Sequence, residues 1–178
     1  MCRMDLAAKE AAIARFLDEY PRSVDAGRWH PALQGCEEVR WSEFPGCPAA
    51  IPVLLHALLD QAAAAEAQRV LTNTMFSIAE MNTAVPEVLP FLLRLVGDPQ
   101  VPERSGLLGR LITVAEFSEP IEVSNEAMVL WFGRDSDHPE REQCRAVFAE
   151  HASVVATLPE GLISAAGQAK LRQAAGVV

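Results

Sequence analysis

The sequence predicts an all-α protein, a short α-solenoid of stacked helix pairs with a capping helix at each end. Apolar residues recur with helical period, breakers fall at helical spacing, and a two-helix unit recurs about 38 residues on. At 178 residues, half of them apolar and 22% charged, the chain has the length and composition of one folded domain rather than of a disordered segment.

The elements follow in order. Leu6, Ile13, Phe16, Leu17 and Tyr20 fall on one stripe and predict a capping helix over 5–20. Gly27, Pro31, Gly35, Pro45 and Gly46 make 22–48 an irregular, partly packed connector. Two clear repeats occupy 49–117. Stripes at Ile51, Leu54, Leu55, Leu58 and Leu59, then at Val70, Leu71, Thr74, Met75 and Ile78, mark the first pair. Pro52 and Pro90 are expected in first turns, where a missing N–H costs nothing. The remainder, 121–178, reads as a degenerate repeat plus a C-terminal cap. Its Cys144, Val147, Phe148, His151, Val154, Val155 and Leu158 predict one helix of four turns, and the Ala-rich 160–174 closes the array. No sustained period-2 run appears, apart from a few residues near Pro120–Val123.

The repeat is visible residue by residue. Ile51-Pro52-Val53-Leu54-Leu55 aligns with Leu89-Pro90-Phe91-Leu92-Leu93, and Asp60 with Asp98. Ser77-Ile78-Ala79-Glu80 aligns with Thr113-Val114-Ala115-Glu116. Asp98-Pro99 followed by Arg104 resembles the turn of HEAT-repeat proteins, in which Asp-Pro caps the break and Arg opens the second helix. The first unit departs from that pattern: Gln61 and an Ala run follow Asp60, and Arg69 comes late. The segment Trp41–Glu116 carries the match, and it is similar to small bacterial HEAT-like proteins with a Trp before an Ile-Pro-x-Leu-Leu helix. The resemblance implies a right-handed solenoid that binds other macromolecules. A few HEAT-like folds are DNA glycosylases or pigment lyases, so the fold by itself does not fix the function.

Charge narrows the partner. The net charge is −9, with only two lysines. From Trp41 to Leu93 the acids are Glu43, Asp60, Glu66, Glu80 and Glu87 against Arg69 alone. Between Arg110 and Arg134 lie Glu116, Glu119, Glu122 and Glu126 with no Lys or Arg. Such a field repels nucleic acid and attracts a basic protein; the plainer alternative is that the acids keep an Ala/Leu-rich surface dissolved. No charged flank leads into an apolar stretch, no run reaches a membrane span, and the four cysteines show no CxxC spacing. The expectation is a cytoplasmic protein with reduced thiols, no membrane association and no cofactor.

Few residues suggest chemistry. There is no phosphate-binding loop, HExxH or nucleophile elbow, and Gly106 and Gly109 read as close-packing positions within a helix. Asp135, Asp137 and His138 could join Glu140 or Glu142 around a metal, but a polar loop capping the next helix is the preferred reading. His151 reads as a satisfied core histidine and His56 as exposed. Glu80 and Glu116, equivalent in the two repeats, read as serving the repeat. Met75, Phe76, Phe91, Trp131 and Phe132 read mainly as core.

The function expected is a non-enzymatic protein-binding module, monomer or homodimer, whose acidic face takes a basic partner, as immunity or antitoxin proteins do. Candidate contacts are Trp29, Trp41, Glu66, Glu80, Glu116, Glu119, Glu122, Asp135 and Asp137; for the tryptophans, stapling the connector onto the helices is the competing reading. The alternatives are a lyase or base-modifying enzyme on the same scaffold, with Cys36 or Cys47 as reactive thiol, or a structural adaptor.

Overall fold

The structure is a computed structural model and describes residues 5–76 and 80–177. Among these, nine α-helices and four short 3-10 turns account for the regular structure, and the only β feature is an isolated Phe76–Met81 bridge. The helices are α1 (Leu6–Glu19), α2 (Ile51–Ala57), α3 (Ala64–Met75), α4 (Val85–Gly97), α5 (Arg104–Phe117), α6 (Glu126–Phe132), α7 (Pro139–Glu150), α8 (Ala152–Ala156) and α9 (Ala165–Ala174). None is long and apolar enough to cross a membrane.

Helix α4 lies at the centre. It buries Val88, Leu89, Phe91, Leu92, Leu93, Leu95 and Val96 over most of its circumference and turns one narrow strip, Glu87, Pro90, Arg94 and Gly97, toward solvent. It packs on α5, α7, α8 and the 3-10 turn Pro31–Leu33. α2 packs on α3, α1 on α3, α3 on α5, and α9 on both α5 and α8. The equivalent leucine pairs Leu54-Leu55 and Leu92-Leu93 are all in the core, and one apolar cluster runs from Ile13 to Ala175.

The two Asp turns share one device. Asp98 Oδ1 accepts the Gln100 N–H at 2.8 Å, and Asp60 Oδ1 accepts the Ala62 N–H at 2.8 Å and the Ala63 N–H at 3.0 Å. Both carboxylates thus hold the chain two residues on, in an Asx turn. Arg104 opens α5 and donates to Val96 O at 2.6 Å. The first unit lacks an arginine there; instead Gln68 of α3 crosses to Glu103 O at 2.9 Å. Gly106 makes room for that side chain, since a Cβ there would stand 2.5 Å from Gln68 Oε1, whereas Gly109 faces open space.

Four sequence-level expectations need correction. Pro90 is not in a first turn: α4 starts at Val85, with Pro86 in the first turn and Pro90 inside the helix. An interior proline typically costs about 3 kcal/mol, which the burial of α4 outweighs. The last long helix is broken at His151 into α7 and α8; the ring Nδ1 lies 3.0 Å from Val147 O, and the residue is half-buried rather than core. α3 stops at Met75, so Glu80 sits outside a helix while Glu116 lies within α5. Ser77, Ile78 and Ala79 fall outside the described residues. Lastly, His56 is buried, because the connector covers the side of α2 that its own stripe leaves bare.

That connector, 22–48, has three 3-10 turns and is pinned at several points. Trp41 is buried, its Nε1–H donates to Cys36 O at 2.8 Å, and its ring meets Phe91 at 6.4 Å. Lys9 Nζ donates to Gly46 O at 2.7 Å and Asn82 Nδ2 to Pro45 O at 3.1 Å. His30 Nδ1 accepts the Ala32 N–H, so its proton is on Nε2 and is donated to Asp98 Oδ2 at 3.1 Å. Gly27 lets the chain touch α2: a Cβ there would lie 2.9 Å from His56 Cα and within 2.9 Å of Leu33 and Leu59 methyls.

Gly27→Ala is therefore expected to destabilise the protein by about 1–3 kcal/mol through overpacking against backbone, measured by urea denaturation. Asp98 is held below its ordinary value, first by the Gln100 N–H and then by His30. Its charge consequently stabilises the fold above about pH 4, and this contribution fades as pH falls through the lowered native value. Asp98→Asn, which retains the Asx acceptor, is expected to flatten the acid limb of a stability–pH curve below about pH 4.

Candidate functional site

The segment from Glu116 to Phe132 gathers most of the features that can engage a partner. Large apolar side chains are rarely left in water, yet Val123 (70% exposed), Leu130 (84%) and Trp131 (74%) all lie here, with Met128 beside them. α6 reads Glu-Ala-Met-Val-Leu-Trp-Phe and buries none of its residues. Seven residues make two turns, and with six consecutive apolar positions there is no polar face to turn outward. Trp131, expected in the core, therefore points to solvent. An all-round apolar run reads in sequence as a buried helix, so its place on the surface is seen only in the structure.

α6 is held at its ends. Asn125 Oδ1 accepts the Met128 N–H at 3.2 Å at the N-terminus, and Gly133, at φ 72°, ends the helix. The buried Arg141 of α7 donates to Phe132 O and, at 3.2 Å, to Asp135 Oδ1. Arg145 reaches Ser118 O and Asp135 Oδ2, while the Ile121 N–H donates to Asp135 Oδ1 at 3.4 Å. Asp135 is thus the hub that ties both ends of 118–135 to α7. Beside α6 a pocket of about 210 Å³ opens between Phe117, Ile121, Met128 and Phe132, with Glu116 and Arg141 also lining it. Phe117 and Phe132 meet edge to face at 6.5 Å.

The acidic candidates divide by their partners. Glu66 is clamped by Arg69 through two hydrogen bonds, and that contact holds its carboxyl below the usual range. Glu119 pairs with Lys170. Asp135 is committed to the arginines, and Asp137 is exposed and accepts from Ser136 Oγ at 3.3 Å. Glu80 is exposed. Among the described residues Glu116, Glu122 and Glu126 are exposed and form no ion pair, and all three flank the apolar stretch. Trp29 stands on the connector, 89% exposed, with Arg28 5.8 Å from its ring.

A second cluster joins the connector to α2. His56 Nε2 lies 2.9 Å from Glu37 Oε1 and 3.7 Å from Cys36 Sγ. These three ligand-type atoms all lie within 4.8 Å of one another. Around Asp135, Asp137 and His138 no such convergence forms among the described residues: His138 Nδ1 pairs with the buried Glu140 at 2.9 Å, while Asp135 faces the arginines.

Among the described residues no thiol is placed as a nucleophile. Cys36, Cys47 and Cys144 are buried, and loss of solvent pushes the first two up to about 11 and the third to about 12. At Cys36 the thiol and Glu37 both meet the same ring nitrogen, so the imidazole cannot relay a proton between them. In a Cys2→Ser background, the folded protein is expected to leave all three thiols unmodified by an aromatic disulfide reagent at pH 8. Labelling should then appear only at the rate of unfolding, followed by the colour of the released aromatic thiolate or by mass. Compared with known proteins, the chain matches no family model, no curated protein and no solved structure.

Proposed function

We propose that this protein is a non-enzymatic binding module whose acidic, apolar face around α6 docks a basic protein. The exposure of Leu130 and Trp131 beside the unpaired Glu116, Glu122 and Glu126 carries the reading. Isolated exposed apolar residues are ordinary, but a group of them within one short segment marks an interaction surface. Tryptophan supplies anchoring area, and three uncompensated carboxylates around it select a cationic partner and speed its arrival. The fitting occupant is an element with apolar side chains for the α6 face and Lys or Arg around them. Inhibition of a cationic toxin, in the manner of an immunity protein or antitoxin, is one role that such a face would serve.

The helix contacts support a scaffold of the HEAT-like kind. α2–α3 and α4–α5 pack as pairs, α3 meets α5, and α7 and α9 continue on α4 and α5. α1 against α3 then corresponds to a leading cap, and the Asp98–Arg104 turn carries the sequence likeness. In this reading α6 interrupts the array between α5 and α7 and serves as the display element.

The test uses the full chain and a synthetic amphipathic peptide with leucines on one helical face and lysines on the other. Binding should be weakened by salt, and with Trp29 replaced by Phe it should shift the emission to the blue through Trp131, the buried Trp41 adding a constant background. Trp131→Ala is expected to cost about 2 kcal/mol, roughly thirtyfold in Kd. Joint replacement of Glu116, Glu122 and Glu126 by Gln should remove most of the salt dependence. Equal binding by wild type and by Trp131→Ala would sink the proposal. Concentration-dependent dimerisation in sedimentation, abolished by Trp131→Ala, would reassign the face to a second copy of the chain.

A further inference from the structure

The cluster at Cys36, Glu37 and His56 is unexplained by the binding face and by packing. In His56 the Nδ1 is buried without a partner, and only Nε2 is engaged, facing a thiol and a carboxylate. The backbone brings the three together deliberately. Gly35, at φ 88°, turns the chain into Cys36, and Trp41 Nε1 fixes the Cys36 carbonyl at 2.8 Å. Gly27 then permits the connector to lie against His56 Cα.

The spacings suit a borderline-soft divalent cation. In a tetrahedral zinc site with Zn–S near 2.3 Å and Zn–N near 2.0 Å, the S···N edge is about 3.5 Å. Cys36 Sγ and His56 Nε2 are 3.7 Å apart. The corresponding N···O edge is about 3.3 Å; His56 Nε2 and Glu37 Oε1 are 2.9 Å apart, a hydrogen-bond distance that must open slightly. Glu37 can make that move, because its side chain is 71% exposed.

We propose that Cys36, Glu37 and His56 bind one zinc-class divalent cation, with the fourth position open to water on the Glu37 side. On binding, the Cys36 thiol proton leaves to solvent and the thiolate takes the metal. His56 presents the Nε2 lone pair, and its proton resides on Nδ1. The metal thereby staples the connector to α2. Three protein ligands with one open position is the pattern of exchangeable rather than sealed zinc sites. One feature holds the affinity below that of a structural site: Nδ1 has no acceptor behind it. The site is independent of the α6 face, so either proposal can fail alone.

The experiment titrates untagged, chelator-stripped, reduced full chain with Co²⁺ in a Cys2→Ser background. One equivalent should generate the near-ultraviolet thiolate-to-cobalt absorption, Zn²⁺ should displace it, and Zn²⁺ should raise Tm. The absorption should vanish in Cys36→Ser, and His56→Gln should lose saturable binding. Glu37→Gln, at an exposed position that leaves the fold intact, should weaken Co²⁺ binding about tenfold or more, so the proposal stays testable if a core variant fails to fold. No thiolate-to-cobalt band in the parent, a band persisting in Cys36→Ser, or unchanged affinity in Glu37→Gln would each overturn the site.

Discussion

Burial of α4 along all but one strip is the constraint on which the rest depends. A helix carrying Val88, Leu89, Phe91, Leu92, Leu93, Leu95 and Val96 leaves only the narrow strip of Glu87, Pro90, Arg94 and Gly97 toward water, so other segments must cover its remaining flanks. α5 covers one, α7 and α8 another, and the Pro31–Leu33 turn of the connector a third. The connector is long and irregular for this reason: it fills surface that a regular helix pair would otherwise occupy. Pro90 shows how strong the demand is, since the helix keeps its course through a residue that removes one of its own hydrogen bonds.

Periodicity made the helices and the repeat readable, because the leucines at 54, 55, 92 and 93 are core residues in both units. Asp60 and Asp98 were readable for the same reason, each performing a local job that a sequence records locally. Long-range coverings were not readable. His56 lies off its helix's stripe and looked exposed; it is buried by a segment 19 and 20 residues away in sequence, where Glu37 and Cys36 reach it. Asp135 looked like a free surface acid, yet Arg141 and Arg145 arrive on the next helix to claim it. Trp131 was not readable either, since two turns of unbroken apolar sequence read as a buried helix, and among the described residues no other element arrives to cover α6.

Acidic charge alone proved a coarse guide to the surface, because it counts carboxylates without regard to their partners. Glu66, Glu119 and Asp135 belong to ion pairs, and their fields largely close on themselves. The exposed pairs of Glu66 and Glu119 contribute little stability, so their value is in shaping where the remaining potential lies. Among the described residues Glu38, Glu87 and Glu142 are likewise exposed without an ion pair; what sets Glu116, Glu122 and Glu126 apart is the exposed apolar side chains beside them, which an acidic surface kept merely for solubility would not need.

The anchoring of α6 has a consequence for how such a protein can diverge. Arg141 grips the helix through a main-chain carbonyl, and Asp135 holds the start of the segment through a main-chain N–H. Neither grip depends on which side chains α6 carries, and none of its residues contributes to the core. Substitutions at 127–131 can therefore accumulate at little thermodynamic penalty, while the platform beneath them stays under full selection for packing. A lineage built this way can exchange one recognition surface for another by drift in a single short helix, leaving its architecture intact.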